Sequence, residues 1–159
     1  MNTINTSKLM KQLAQLEQVI PNAEKKNQLI SNANVGWHIG HTLMVLNGII
    51  ETTSNSDPND YKWSFNFKRV VVFTRNKIPR GVAKAPKSVN PKDDFTQESL
   101  SKLLSDAKVK LEELHTMDQR FFFKHPSLGN LKFKQMIQFL AIHTKHHLDI
   151  IHDILKSEK

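Results

Sequence analysis

Cysteine is absent from the 159-residue chain. Disulfide frameworks, thiolate zinc ribbons, iron–sulfur clusters and cysteine nucleophiles are therefore excluded. Glycine and proline are sparse, at five and six residues, which rules out collagen-like and low-complexity chains. An aromatic content of 8% argues against wholesale disorder. No stretch approaches the roughly 18 consecutive apolar residues that a membrane span requires. The first residues, MNTINTSKLMKQLAQLEQ, alternate charge with leucine and lack the continuous apolar core of a signal peptide. The expectation is a cytoplasmic protein with no membrane partner.

Acidic residues are missing from one long segment. Between Tyr61 and Lys92 there are nine basic side chains and no acid, which leaves 14 basic against 15 acidic residues in the remainder of the chain. The net charge of +8 is thus concentrated in about a fifth of the sequence. A field of that kind can hold nucleic acid, a membrane surface or a small anionic ligand, and it can also be a solvated, solubilising face.

What is present is helical periodicity, on a length that suits a single domain spanning residues 1–159 with a core of its own. Leu9, Leu13, Leu16 and Ile20 recur at three- and four-residue steps, predicting an amphipathic helix that stops at Pro21. Asn34 opens a second helical run, from Val35 to about Thr53, apolar on nearly every side and so expected to be buried. Asp57-Pro58-Asn59-Asp60 is a turn cluster. Residues 61 to about 77 are expected as a third helix, although Val70-Val71-Val72-Phe73 also suits a strand. The prolines and glycine between Pro79 and Pro91 exclude regular structure there. Thr96 is a plausible N-cap for a helix whose Leu100, Leu103, Leu104, Ala107, Leu111 and Leu114 share one face. His125 to Asn130 is another turn, and a last helix is expected from about Lys132 to Leu155. The fold class is all-α: four long helices in a bundle, joined by one long crossover (residues 61–95) that carries an additional short helix.

Chemistry, if there is any, lies in the eight histidines. On the last helix His147 falls inside the apolar stripe of Phe133, Met136, Ile137, Leu140, Leu148 and Ile151, and His143 lies on its border, one turn earlier. His146 and His152 point away. Two imidazoles at i and i+4 can converge on one metal ion. The Glu of the metalloprotease His-Glu-x-x-His motif is missing, since Thr-Lys-His intervenes. Such a pair can equally be a hydrogen-bonded polar element of a core. A third ligand is available from the second helix, where His41 lies among Trp37, Met44, Val45 and Gly48, with His38 nearly as close. Three neutral imidazoles would leave coordination positions open, as a Lewis-acid or water-activating site requires.

Trp37-x-x-x-His41 followed by His143-x-x-x-His147 resembles the DinB/YfiT superfamily of metal-binding helix bundles. Ile78-Pro79-Arg80-Gly81 with Ala85-Pro86, and His125-Pro126 through Gly129 ahead of His143-Thr144-Lys145-His146-His147-Leu148, resemble one uncharacterised, domain-of-unknown-function branch of it. The resemblance runs from about residue 30 to the end. It implies a four-helix bundle with a long crossover, a divalent metal (zinc or nickel) on His41, His143 and His147, and in many members a homodimer. It also implies thiol-dependent transferase or isomerase chemistry with a low-molecular-weight thiol, or metal-dependent hydrolysis. One position departs from the pattern: the glutamine commonly found three residues after the second histidine of the pair is Ile150 here. A hydrogen bond behind the ligands is then missing, which bears on activity more than on metal binding and keeps a non-catalytic metal-binding protein as an alternative.

No dedicated general base is evident. His38 and His146 can relay protons, but partly exposed helix positions explain them as well. His125 fits a structural or mouth-lining role. In this architecture the basic crossover can overhang the open end of the site, so Arg80, Lys84 and Lys87 are candidates to bind carboxylate or phosphate on a small-molecule substrate. The competing use is nucleic-acid contact through Lys62, Lys68, Arg69 and Arg75 with Tyr61, Trp63, Phe65 and Phe67 interleaved. A bundle needs such aromatics in its core, and on that ground nucleic acid is the less favoured partner.

Overall fold

The computed structural model describes residues 4–81 and 95–157. Lys84, Lys87 and the Ala85-Pro86 pair lie outside the described residues. Within them the chain is mainly helical, with one small β-hairpin: α1 (Ser7–Val19), α2 (Val35–Ser54), α3 (Phe67–Arg75), α4 (Gln97–Glu113), β1 (Phe122–His125), β2 (Gly129–Lys132) and α5 (Phe133–Lys156).

Local chemistry accounts for the helix starts. Asn34 accepts a hydrogen bond from the Trp37 amide at 2.7 Å and so caps α2. Thr96 accepts from the Ser99 amide at 3.1 Å and caps α4, as its sequence position predicts. Asn66 caps α3 by accepting from the Arg69 amide at 2.9 Å. At the other end of α3, Asn76 takes a left-handed conformation, φ 49°, a role to which asparagine is better suited than other non-glycine residues.

The core lies where the long helices meet. α1 packs against α4 and α5, and α2 packs against the same two. Leu9, Leu13 and Leu16 from α1, Ile39, Leu43, Leu46 and Ile50 from α2, Leu100, Leu104 and Leu111 from α4, and Met136, Leu140 and Ile151 from α5 are all buried. Each such side chain contributes about 1.5–3 kcal/mol relative to exposure, so packing, rather than propensity, holds these helices in place. The hydrophobic spacing assigned to α1, α2, α4 and α5 is the one that is buried.

Two elements differ from expectation. The third helix is only nine residues long, because the segment 62–66 runs without regular structure along the hairpin instead of entering the helix. Its backbone and polar side chains are claimed there: Asn130 Nδ2 donates to the Lys62 carbonyl at 3.0 Å, and Asn66 Nδ2 donates to the Ser127 carbonyl at 3.1 Å. Arg69 completes the latch. It is buried, and its guanidinium donates to the carbonyls of Ser64, Leu128 and Asn130, so it is a structural clamp and not a surface cation.

The second difference is the hairpin itself. The 125–130 turn is present, but short strands flank it, paired antiparallel with Phe122 opposite Lys132 and His125 opposite Gly129. Gly129, which opens β2 opposite His125, has φ +73°, a left-handed conformation that glycine adopts without the steric cost of a β-carbon. Trp63, Phe65 and Phe67 are not core residues: each is 70% exposed. Only Tyr61 of that set is half-buried, its ring 5.4 Å from that of Phe122.

Candidate metal centre

α2 and α5 pack together, and their facing sides carry the histidines. α5 presents His143 and His147 one turn apart, with their ring centroids 4.7 Å apart. α2 presents His41, whose ring lies 4.8 Å from that of His147 and 5.2 Å from that of His143. One nitrogen from each of the three lies within 4.8 Å of the other two. Two donors with bonds of about 2.1 Å to one ion stand no more than about 4.2 Å apart, so an ion here would need the rings to close by up to about an ångström.

Burial shapes the electrostatics. His41 and His147 are buried and His143 is half-buried. Desolvation first, and the neighbouring imidazoles second, hold the proton affinities of His143 and His147 well below the usual histidine value. Both are therefore neutral at pH 7, as a ligand must be. An all-imidazole donor set without carboxylate fits borderline cations such as zinc or nickel and does not fit calcium or magnesium. The group at this site has the chemistry to hold a divalent metal.

The surroundings are ordered around these three rings. The Trp37 indole stacks on His41 at 4.9 Å, nearly parallel. Phe95, just before α4, lies directly against Gly40, where a β-carbon would stand 2.1 Å from its ring. Glycine at position 40 thus admits the phenyl ring against the helix backbone. On the α5 side, His146 is half-buried, its ring 5.1 Å from that of His147 and within hydrogen-bonding range of the Ile78 carbonyl. Arg80 pairs with Asp153 at 2.7 Å, and its charge helps to lower the proton affinity of both His38 and His146.

The expected ligands His41, His143 and His147 therefore come together. Of the three anion-binding candidates, Arg80 alone is described: it is exposed, paired with Asp153, and near enough for its charge to act on His38 and His146. His152 is exposed, as its position on the helix predicts. No family model, curated protein or solved structure matches the chain. The site stands on its own geometry.

His38 differs from expectation. It is only 4% exposed rather than a partly solvated helix position. Its Nδ1 lies 3.0 Å from Nδ1 of His147, and its Nε2 lies 2.9 Å from the Ser31 hydroxyl. Burial lowers its pKa to about 4. The signal was available in sequence, since His38 lies only three residues from His41, but a helical wheel shows a face and not which nitrogen meets which. His125 is half-buried and its Nδ1 accepts from the amides of Ser127 and Leu128 at 3.0 and 3.1 Å. It thereby closes the hairpin turn, in keeping with a structural role. Ile150 is buried in the core at 8% exposure and offers no hydrogen bond to the ligands. Among the described residues, no helix is long and apolar enough to cross a membrane.

Proposed function

We propose that this chain is a metal-dependent enzyme of the DinB/YfiT type: a four-helix bundle with a long crossover, holding zinc or nickel on His41, His143 and His147. The observation that carries this reading is the convergence of three imidazoles, from two helices, within 4.8 Å. A divalent cation held by neutral ligands keeps its full charge, and so supplies Lewis acidity toward water or an external low-molecular-weight thiol. The reaction class is thiol transfer or hydrolysis on a small anionic substrate, in a cytoplasmic homodimer.

The chain's own residues have defined tasks in this scheme. The three histidines hold the ion, and Trp37 orients His41 by stacking on it. Arg80 is placed to bind a carboxylate or phosphate, exchanging its contact with Asp153 for the substrate's. His146, half-buried beside His147, is the group available to accept or release a proton at the rim.

Elemental analysis of the purified protein tests the first step, with about one zinc or nickel per chain expected. Stoichiometric metal that disappears in His147→Ala supports the site, and a metal-free protein that takes up neither cation overturns it. A screen of the loaded protein for thiol adducts with electrophiles tests the second step. Full metal occupancy without turnover would instead favour the non-catalytic metal-binding protein that Ile150 suggests.

A second reading gains support from one observation, the exposure of Trp63, Phe65 and Phe67. They are spaced by two from the irregular run at 62–66 into the first residue of α3, with Lys62 and Lys68 exposed beside them, which suits stacking of single-stranded bases with phosphates held nearby. Arg69, being buried, drops out of that set. Binding to single-stranded DNA or RNA that weakens as salt rises and is lost in Trp63→Ala, yet survives His41→Ala, would establish this activity. No binding at physiological salt would remove it.

A further inference from the structure

We propose that His38, backed by Ser31, is a positioning residue for the metal centre: it accepts the Nδ1 proton of the His147 tautomer whose Nε2 lone pair is open to a cation. This rests on the metal-site reading above and assigns His38 a role distinct from ligation.

The geometry sets the choice. Two imidazole nitrogens 3.0 Å apart form a hydrogen bond only if one carries a proton and the other a lone pair. Both Nδ1 atoms are committed to that bond, so neither is open to an ion. Nε2 of His38 is committed as well, at 2.9 Å from the Ser31 hydroxyl. His38 thus has no nitrogen left to ligate. This explains why His41, and not the equally buried His38 less than one turn before it, completes the cluster with His143 and His147.

Two proton arrangements satisfy every partner. In the first, His147 Nδ1–H donates to His38 Nδ1, and His38 Nε2–H donates to the Ser31 oxygen. In the second, the Ser31 hydroxyl donates to His38 Nε2, His38 Nδ1–H donates to His147 Nδ1, and the remaining proton of His147 sits on Nε2. Only the first leaves an Nε2 lone pair on His147. Ser31 serves either arrangement because its oxygen also accepts from the Ala33 amide, at 3.1 Å, which holds it in place without using its proton. A cation therefore binds one of two tautomer states, and the Ser31–His38 pair supplies the acceptor that makes that state self-consistent. Partners of this kind behind a ligating histidine fix its orientation and raise its basicity, and losing one typically weakens metal affinity by about 10–100-fold.

The test is chelator-competition titration of the whole protein with Zn²⁺ and with Ni²⁺. His38→Leu, which can neither accept nor donate, is expected to raise Kd by about 10–100-fold. His38→Gln is expected to retain most of the affinity, because its amide oxygen can accept from His147 while its NH₂ donates to Ser31. Ser31→Ala is expected to weaken binding in the same direction by less. Nitrogen-15 NMR of the unaltered, zinc-loaded protein gives a readout that needs no variant: His147 should appear as the Nδ1–H form and His38 as the Nε2–H form. Wild-type affinity in His38→Leu, or an Nε2–H proton on His147 in the loaded protein, overturns the proposal while leaving the metal site standing. If the unaltered protein binds neither cation, both the site and this role fall together.

Discussion

A buried imidazole is tolerated as the neutral species, because taking its cation out of water costs more than any nearby group here returns. His143 and His147 have proton affinities held well below the ordinary value of 6.5, and His38 is lowered to about 4, burial being the first cause in each. The consequence for stability has a definite sign. Between about pH 4 and 6.5 the unfolded chain binds protons that the folded chain refuses, so acid favours unfolding. The stabilisation is complete above 6.5 and is lost progressively as pH falls toward 4. Each such histidine steepens the loss by about 1.4 kcal/mol per pH unit inside that window. Urea unfolding of the metal-stripped protein at a series of pH values should therefore show stability falling steeply below pH 6.5. In His38→Gln the slope should be shallower, and an unchanged slope would mean that His38 is charged in the folded protein.

At the scale of elements, Phe95 packs closely against α2 one residue before His41. Gly40 has no β-carbon because the phenyl ring occupies that space: the added atom of Gly40→Ala would meet the ring at 2.1 Å. Overpacking of this kind costs about 1–3 kcal/mol, and because Gly40 precedes His41, the displaced ring should also reduce metal affinity. The double variant Gly40→Ala/Phe95→Ala removes the clash and should recover part of the melting temperature lost in the single variant. Equal melting of Gly40→Ala and wild type would show that Phe95 swings away freely. The α2 contact that gives Gly40 its importance could not be read from the chain, since a glycine in a buried helix indicates a close neighbour but not which one. The long helices were legible because their apolar residues recur at helical spacing, and α2 and α4 also begin on the capping residues Asn34 and Thr96. The hairpin was not, since Phe121-Phe122-Phe123 does not alternate and its strands are four residues long. The run at 61–66 was misassigned for a tertiary reason: Asn66, Arg69 and Asn130 bind its backbone and side chains to the hairpin, and nothing local in YKWSFN announces partners that lie some sixty residues away.

For the molecule as a whole, the three clustered histidines come from two helices that are distant in sequence, so an ion bound by them would be thermodynamically linked to the fold. An ion that binds the folded chain and not the unfolded one adds RT ln(1 + [L]/Kd), about 2.7 kcal/mol at a hundredfold excess over Kd. For a domain of this size each kcal/mol moves the melting temperature by roughly 2–4 °C. Saturating zinc or nickel should raise it by about 5–10 °C by that arithmetic, with magnesium and calcium giving no shift because the donor set holds no oxygen. The pattern across variants separates the roles of the histidines. His41→Ala, His143→Ala and His147→Ala should each abolish the metal-induced shift. His152→Ala, exposed on the far side of α5, should keep all of it. The net charge of +8 enters the same experiment as a control on specificity, because cations are repelled by the bulk charge and a stabilising response must come from a defined site. A shift that persists in His147→Ala would place the ion elsewhere on the protein, and with it any chemistry assigned to the junction of α2 and α5.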